Sequence, residues 1–216
     1  MDVEKEKLLA ACAGAELVED GMRVGLGTGT TVAYLLGELA RRGPKARYVA
    51  TSPRTEEVAK RMGLSVESFD TFTSLDLAID GADQIAASGW LIKGGGGAHT
   101  REKIVAQCAE RFVVIADSTK LVASLHGPVP LELLSFGHAA TLRRLEPTAL
   151  RAGGVSPDGG LIADYLGDVD DPAALARWFE NTPGVLGHGL FAPDVVSDVL
   201  VGSGTSVRRT INGGIQ

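Results

Sequence analysis

The sequence predicts an α/β fold with a mainly parallel sheet, followed by a smaller α+β unit. Three observations carry this. Short apolar runs alternate with stretches of helical apolar spacing from the start of the chain to Pro128. Several of those runs break into loops rich in glycine, threonine or aspartate, where ligands collect at the carboxyl ends of parallel strands. The pattern then changes at Pro128, beyond which an apolar run, a short helix and a glycine-rich turn follow one another.

Element by element, residues 3–18 place apolar side chains at helical spacing, with Gly21 positioned to end the helix. Residues 22–25 read as a strand, 32–42 as a helix, 47–50 as a strand, and 53–62 as a helix opened by Pro53. Further strands are expected at 64–66, 77–79, 90–92 and 112–116, with a helix over 101–110. Past Pro128 come an apolar run at 129–136, a helix at 138–144, a turn at 153–160, a strand at 161–165, a helix at 172–180 and a strand at 185–191. Residues 197–201 are expected to rejoin the main sheet and 208–216 to form a loose tail. The expected division is therefore 1–127 plus 196–216 as the main domain and 128–195 as the smaller lobe.

Composition narrows the function. With 216 residues, 44% hydrophobic and 22% charged, the chain can bury a full core. A net charge of −6 argues against a non-specific binder of nucleic acid or of an anionic membrane. An anionic small molecule would need locally positive ground, which directs attention to lysines beside glycine loops. The segment 1–7 is charged, no apolar run approaches a membrane span, and a cytoplasmic setting is expected. Cys12 and Cys108 lack partners at metal-ligand spacing and read as inert buried thiols. His126, His138 and His188 read as surface or capping residues, whereas His99 has an address that suits the site's lining.

Four constellations stand at strand ends. Gly25-Leu26-Gly27-Thr28-Gly29-Thr30-Thr31 joins strand to helix, so backbone N–H groups and a helix start can hold a phosphate or carboxylate. No lysine follows as a P-loop needs, and the third glycine of the dinucleotide fingerprint is missing. Asp80-Gly81-Ala82-Asp83 ends an apolar strand in two carboxylates, suited to sugar hydroxyls, to proton transfer in ring opening, or to Mg²⁺; a plain turn is the simpler alternative. Lys93-Gly94-Gly95-Gly96-Gly97 asks for a local reason, because four consecutive glycines are costly to order. Lys93 can neutralise developing negative charge there. Glu102, in the first turn of the next helix, suits a base for C–H proton abstraction or simply complements the helix dipole, which would keep it ionised near pH 7. Finally, Asp117-Ser118-Thr119-Lys120 brings a second lysine to the same edge.

Taken together with Thr51-Ser52-Pro53-Arg54-Thr55, Pro130-Leu131-Glu132, Asn181-Thr182-Pro183-Gly184-Val185 and Gly189-Leu190-Phe191, these motifs resemble the A-type ribose-5-phosphate isomerase family over nearly the whole chain. The resemblance implies a Rossmann-like domain with a smaller α+β, ferredoxin-like lobe, and a homodimer or homotetramer. It also implies a sugar-phosphate isomerase of the pentose phosphate pathway that works without metal or organic cofactor. It makes Glu102 the base, Lys93 the stabiliser of negative charge and Asp80 a third catalytic group. Substrate contacts would come from Thr28, Gly29, Thr30, Thr31, Asp80, Gly81, Ala82, Asp83, Lys93, Gly94, Gly95, Gly96, Gly97 and Lys120, with the loop that takes the phosphate left open. Two departures stand out: Gln84 replaces the usual glutamate, which would alter how Asp83 is oriented, and Ser156-Pro157-Asp158-Gly159-Gly160 replaces a more usual turn. Two alternatives are a sugar-phosphate-binding effector domain without catalysis and a Mg²⁺-dependent phosphotransferase. The first lacks room before Met22 for a DNA-binding unit, and the second lacks a nucleotide motif.

Overall fold

Local signals in the chain account for most of the element boundaries. In a computed structural model that describes residues 2–211, Asp2 caps helix α1 (Val3–Glu16), its carboxylate accepting from the Lys5 N–H. Strand β1 (Arg23–Leu26) and helix α2 (Thr30–Arg42) follow, then β2 (Arg47–Ala50) and α3 (Pro53–Arg61), which Ser52 caps. The chain continues through β3 (Leu77–Asp80), β4 (Gln84–Ala86), β5 (Leu91–Ile92), α4 (His99–Cys108), β6 (Phe112–Asp117) and β7 (Leu121–Val122). It then forms β8 (Val129–Leu133), α5 (His138–Arg144), β9 (Thr148–Val155), β10 (Leu161–Tyr165), α6 (Pro172–Glu180), β11 (Val185–His188) and β12 (Leu190–Phe191). Strands β13 (Asp198–Ser203) and β14 (Ser206–Ile211) complete it.

The main sheet runs β14-β13-β6-β3-β1-β2, parallel throughout except for β14. Chain order reverses between β1 and β3, so the crevice where an open α/β sheet takes its ligand lies beyond the ends of these two strands. The sheet has an apolar layer on each face. Leu26, Ile79, Val113 and Ile115 pack against Ala11 and Ala15 of α1 and Leu35 and Leu39 of α2. Ala78, Val114 and Val199 pack against Val105 and Ala106 of α4. Each fully buried leucine or valine contributes roughly 1.5–3 kcal/mol, and the sum fixes the strand ends that carry the site.

The second sheet, β11-β8-β10-β9, is antiparallel throughout and is crossed by α5 and α6 in the order βαββαβ, the ferredoxin-like arrangement. A third sheet, β12-β5-β4-β7, was not expected. The strand anticipated at 90–92 belongs there, antiparallel to β4, and not to the parallel sheet. Its connection is a tight turn in which Gly89 N–H donates to Ala86 O, too short for the crossover that a parallel neighbour needs.

Three other expectations change. Residues 64–66 make only a single bridge, Val66 to Tyr48. The run at 185–191 divides at Gly189, its two halves joining different sheets. The tail is structured as far as Ile211, where Arg209 pairs with Asp198 at 2.7 Å in the β13–β14 hairpin; residues 212–216 lie outside the described residues. Among the described residues, no helix is long and apolar enough to cross a membrane.

Candidate active site

At the switch point, β1 delivers Gly27 and Thr28 against the end of β3. A Cβ on Gly27 would lie 1.8 Å from the Asp80 carboxyl carbon, so only glycine allows the two strand ends to approach this closely. Asp80 Oδ1 accepts from the N–H groups of Thr28 at 3.0 Å and Gly81 at 2.7 Å. Its Oδ2 accepts from Lys93 Nζ at 2.7 Å. Lys93, directly after β5, also donates to Gly81 O at 2.5 Å and stands 3.2 Å from Glu102 Oε2, with the Phe191 ring centroid 5.5 Å from its ammonium. Asp80, Lys93 and Glu102 are 3%, 2% and 4% exposed.

This cluster holds two carboxyls and one ammonium out of water, and its electrostatics follow from that. Burial pushes Glu102 up to about 7, the Asp80 charge adds to the rise, and Lys93 offsets only part of it. Asp80 is also raised by burial, against the pull of Lys93. Burial alone would lower Lys93, but Asp80 and Glu102 outweigh it and hold the ammonium above its ordinary range. The expectation that the α4 dipole keeps Glu102 ionised near pH 7 is therefore corrected: burial beside Asp80 raises it instead. A dipole interaction of about 0.3–1 kcal/mol is smaller than the cost of burying a carboxylate beside another one.

A cleft of about 220 Å³ opens above the cluster. One wall is the β1–α2 turn from Thr28 to Thr31, another is Gly81 to Asp83, and a third is Lys93 to Gly96 with Glu102; Lys120 closes the rim. Gly29, at the start of α2, provides no side-chain cap, so the first N–H groups of that helix are open to an anion. Asp83 is exposed in the cleft and its Oδ2 accepts from Gly95 N–H at 2.8 Å. Gly94 adopts φ +103° with the His99 ring directly beneath it; a Cβ there would fall 2.7 Å from Nδ1.

Several expected contacts lie elsewhere. Asp80 does not line the cleft: it is underneath Lys93 with both oxygens engaged. Gly97 is buried, donates to Gly94 O and faces Ile162 of the second sheet. The Thr28 hydroxyl is turned from the cleft into a cluster with Thr51, Ser52 and Thr55, at 3.0, 2.8 and 3.2 Å. His99 lies below the loop and not in the wall, and burial pushes it down to about 3. His188 is buried too, 3.2 Å from Lys103 Nζ. Phe191 and the Thr51–Ser52–Thr55 hydroxyls are supporting residues that only the resemblance signalled. Cys12 and Cys108 are free and half-buried.

A family model described as ribose 5-phosphate isomerase A (phosphoriboisomerase A) matches residues 47–206. The chain belongs to that family. Relatives named ribose-5-phosphate isomerase A include one from Thermoplasma acidophilum, 47% identical and covering 88% of this chain and 85% of its own. Another, from Caulobacter vibrioides, is 43% identical over 97% and 99%. The solved structure of ribose 5-phosphate isomerase A from Methanocaldococcus jannaschii superposes with a TM-score of 0.90 at 34% identity, covering 95% and 97%. A D-ribose-5-phosphate isomerase in complex with phospho-erythronic acid gives 0.91 at 34%, covering 98% and 100%.

Against the family pattern, Gln84 has a local explanation. Its amide donates to His126 O at 2.8 Å and accepts from His126 N–H at 3.0 Å, a two-way pairing that a glutamate, lacking a donor, cannot make. Among the described residues it makes no hydrogen bond to Asp83. In the divergent turn, Asp158 takes Arg101 of α4 in a two-pronged ion pair at 2.7 Å on each prong.

Proposed function

We propose that this protein interconverts ribose 5-phosphate and ribulose 5-phosphate by proton transfer through an enediolate. The observation that carries the reading is the Lys93–Glu102 pair at the floor of the cleft, a buried carboxyl 3.2 Å from an ammonium that Asp80 also holds, with burial raising the carboxyl's pKa. Glu102 removes the proton from C2 of the open-chain sugar and returns it at C1, a role worth ~10²–10⁴ in rate. Lys93 and the free N–H groups of the glycine loop receive the charge that develops on oxygen. Asp80 keeps Lys93 aimed, and Asp83 is the exposed carboxylate placed for sugar hydroxyls and ring opening. The start of α2, with Thr30, Thr31 and Lys120, supplies the anchor for the phosphate.

In the same reading the chain works in the cytoplasm as a homodimer or homotetramer, in the pentose phosphate pathway and without a metal or organic cofactor. Residues 1–127 and 196–216 form its catalytic domain and 128–195 its smaller lobe. A binding-only effector role would have no use for a carboxyl raised toward neutrality. The test is an assay of the purified, chelator-treated protein for ribulose 5-phosphate. Turnover is expected with ribose 5-phosphate and poor turnover with ribose, and an inactive, folded protein that binds the sugar phosphate would favour the effector reading.

A further inference from the structure

The glycine loop is held from outside the main sheet. Arg151, on β9, presents one edge of its guanidinium to Asp164 of β10, with Nε and Nη2 each 2.6 Å from a carboxylate oxygen. Its remaining nitrogen, Nη1, donates to two consecutive carbonyls of the loop, Gly94 O at 3.1 Å and Gly95 O at 3.0 Å. One planar cation therefore binds a carboxylate on one edge and two peptide units on the other, a geometry that lysine cannot reproduce.

The consequence follows from peptide planarity. The Gly94–Gly95 peptide is fixed at both ends, its oxygen by Arg151 and its N–H by Asp83. In the next peptide the oxygen of Gly95 is drawn to Arg151, so the trans N–H of Gly96 must point the opposite way. Gly96 lines the cleft, and its N–H has no acceptor among the described residues. Glycines left to themselves would spread this donor over many orientations. A preorganised donor stabilises a developing oxyanion far better than one that must be oriented during the reaction.

We propose that Arg151, braced by Asp164, is a positioning residue for the isomerisation, acting by aiming the Gly96 N–H at the enediolate oxygen. This rests on the reading of the cleft given above. A separate ion pair, Arg101 with Asp158 of the turn between β9 and β10, ties the turn of α4 that carries Glu102 to the same sheet, so base and donor share one support.

The test compares wild type with Arg151→Met, Arg151→Lys and Asp164→Asn. Arg151→Met is expected to lower kcat by about 10–100-fold with KM changed less than about threefold. Affinity for phospho-erythronic acid, whose planar carboxylate mimics the enediolate end, should fall in proportion, while affinity for ribitol 5-phosphate, which has no trigonal carbon, should hold. Arg151→Lys should recover little, and added methylguanidinium should partly restore Arg151→Met. Asp164→Asn, which keeps the guanidinium but loosens it, should show a smaller loss of the same kind and serves if Arg151→Met does not fold. Lower thermal stability with unchanged kcat per folded molecule, or equal loss of affinity for both probes, would overturn the proposal. A wild-type protein without isomerase activity would instead remove the reading on which it rests.

Discussion

Glu102 Oε2 lies 3.2 Å from Lys93 Nζ, and the same ammonium is held at 2.7 Å by Asp80. The two carboxyls thus share one cation but are not equivalent. Asp80 is constrained by three close partners, Thr28, Gly81 and Lys93, whereas Glu102 faces the cleft. Glu102→Gln keeps the shape and removes the base, so kcat should fall by at least ~10² with little change in substrate binding. Exchange of solvent deuterium into C2 should disappear with it. A folded variant with near-normal turnover would transfer the role of base to Asp83, the other carboxyl that faces the cleft.

The same substitution should make the protein more stable near pH 8. A carboxyl whose folded pKa is raised binds its proton more tightly in the native state than in the unfolded chain. Its contribution is therefore favourable below the ordinary value of 4.5 and is lost as pH rises through about 7. Above that point wild type carries a buried second carboxylate that glutamine does not impose. The thermal midpoint of Glu102→Gln should exceed that of wild type at pH 8, with the gap closing toward pH 4.5. A helix-dipole role predicts the opposite sign, a loss of about 0.3–1 kcal/mol at pH 8.

The pH dependence of kcat/KM should show a rising limb with a midpoint near 7, tenfold per unit below it, because only the ionised form of Glu102 accepts the proton. Asp80→Asn removes the charge that helps to hold Glu102 up, so the limb should move to lower pH. Lys93 would also lose its strongest partner, and kcat should decrease at the same time. A limb that stays in place in this variant would mean that the titrating group is not Glu102.

Much of this arrangement was legible before folding, for a physical reason. Gly27 and Asp80 stand at the ends of neighbouring parallel strands, which share one edge whatever their separation in sequence. Lys93 also closes a short apolar run, but its strand reaches that edge from the third sheet, antiparallel to β4. What could not be read was which way each group turns. Asp80 and Asp83 look alike in the chain, yet one is buried beneath Lys93 and the other exposed, because Asp80 is the last residue of β3 and Asp83 lies past the turn. The hydroxyl of Thr28 is claimed by Thr51, Ser52 and Thr55 from the neighbouring strand end, a long-range contact with no periodic signature. Arg151 was invisible for the same reason: it acts through backbone carbonyls 57 and 56 residues away.

His99 and His188 give a prediction about acid stability. Both are pushed down to about 3, mainly by burial and next by the charge of Lys103. His188 has the pattern of a neutral ring: Nδ1 accepts from Leu190 N–H at 3.3 Å, and Nε2 is 3.3 Å from Glu180. Because the folded pKa lies below the ordinary 6.5, the unfolded chain takes up protons first as the solution is acidified. The contribution of each ring is complete above about 6.5 and is lost as pH falls toward 3, at about 1.4 kcal/mol per unit. Glu102, and Asp80 in the same sense, work in the other direction and offset part of this slope. Between pH 6 and 5 the urea midpoint should therefore fall more for wild type than for His188→Gln, which has no proton to gain in this range. An unchanged slope in the variant would show that His188 is already protonated in the folded protein and that Glu180, not burial, governs its charge.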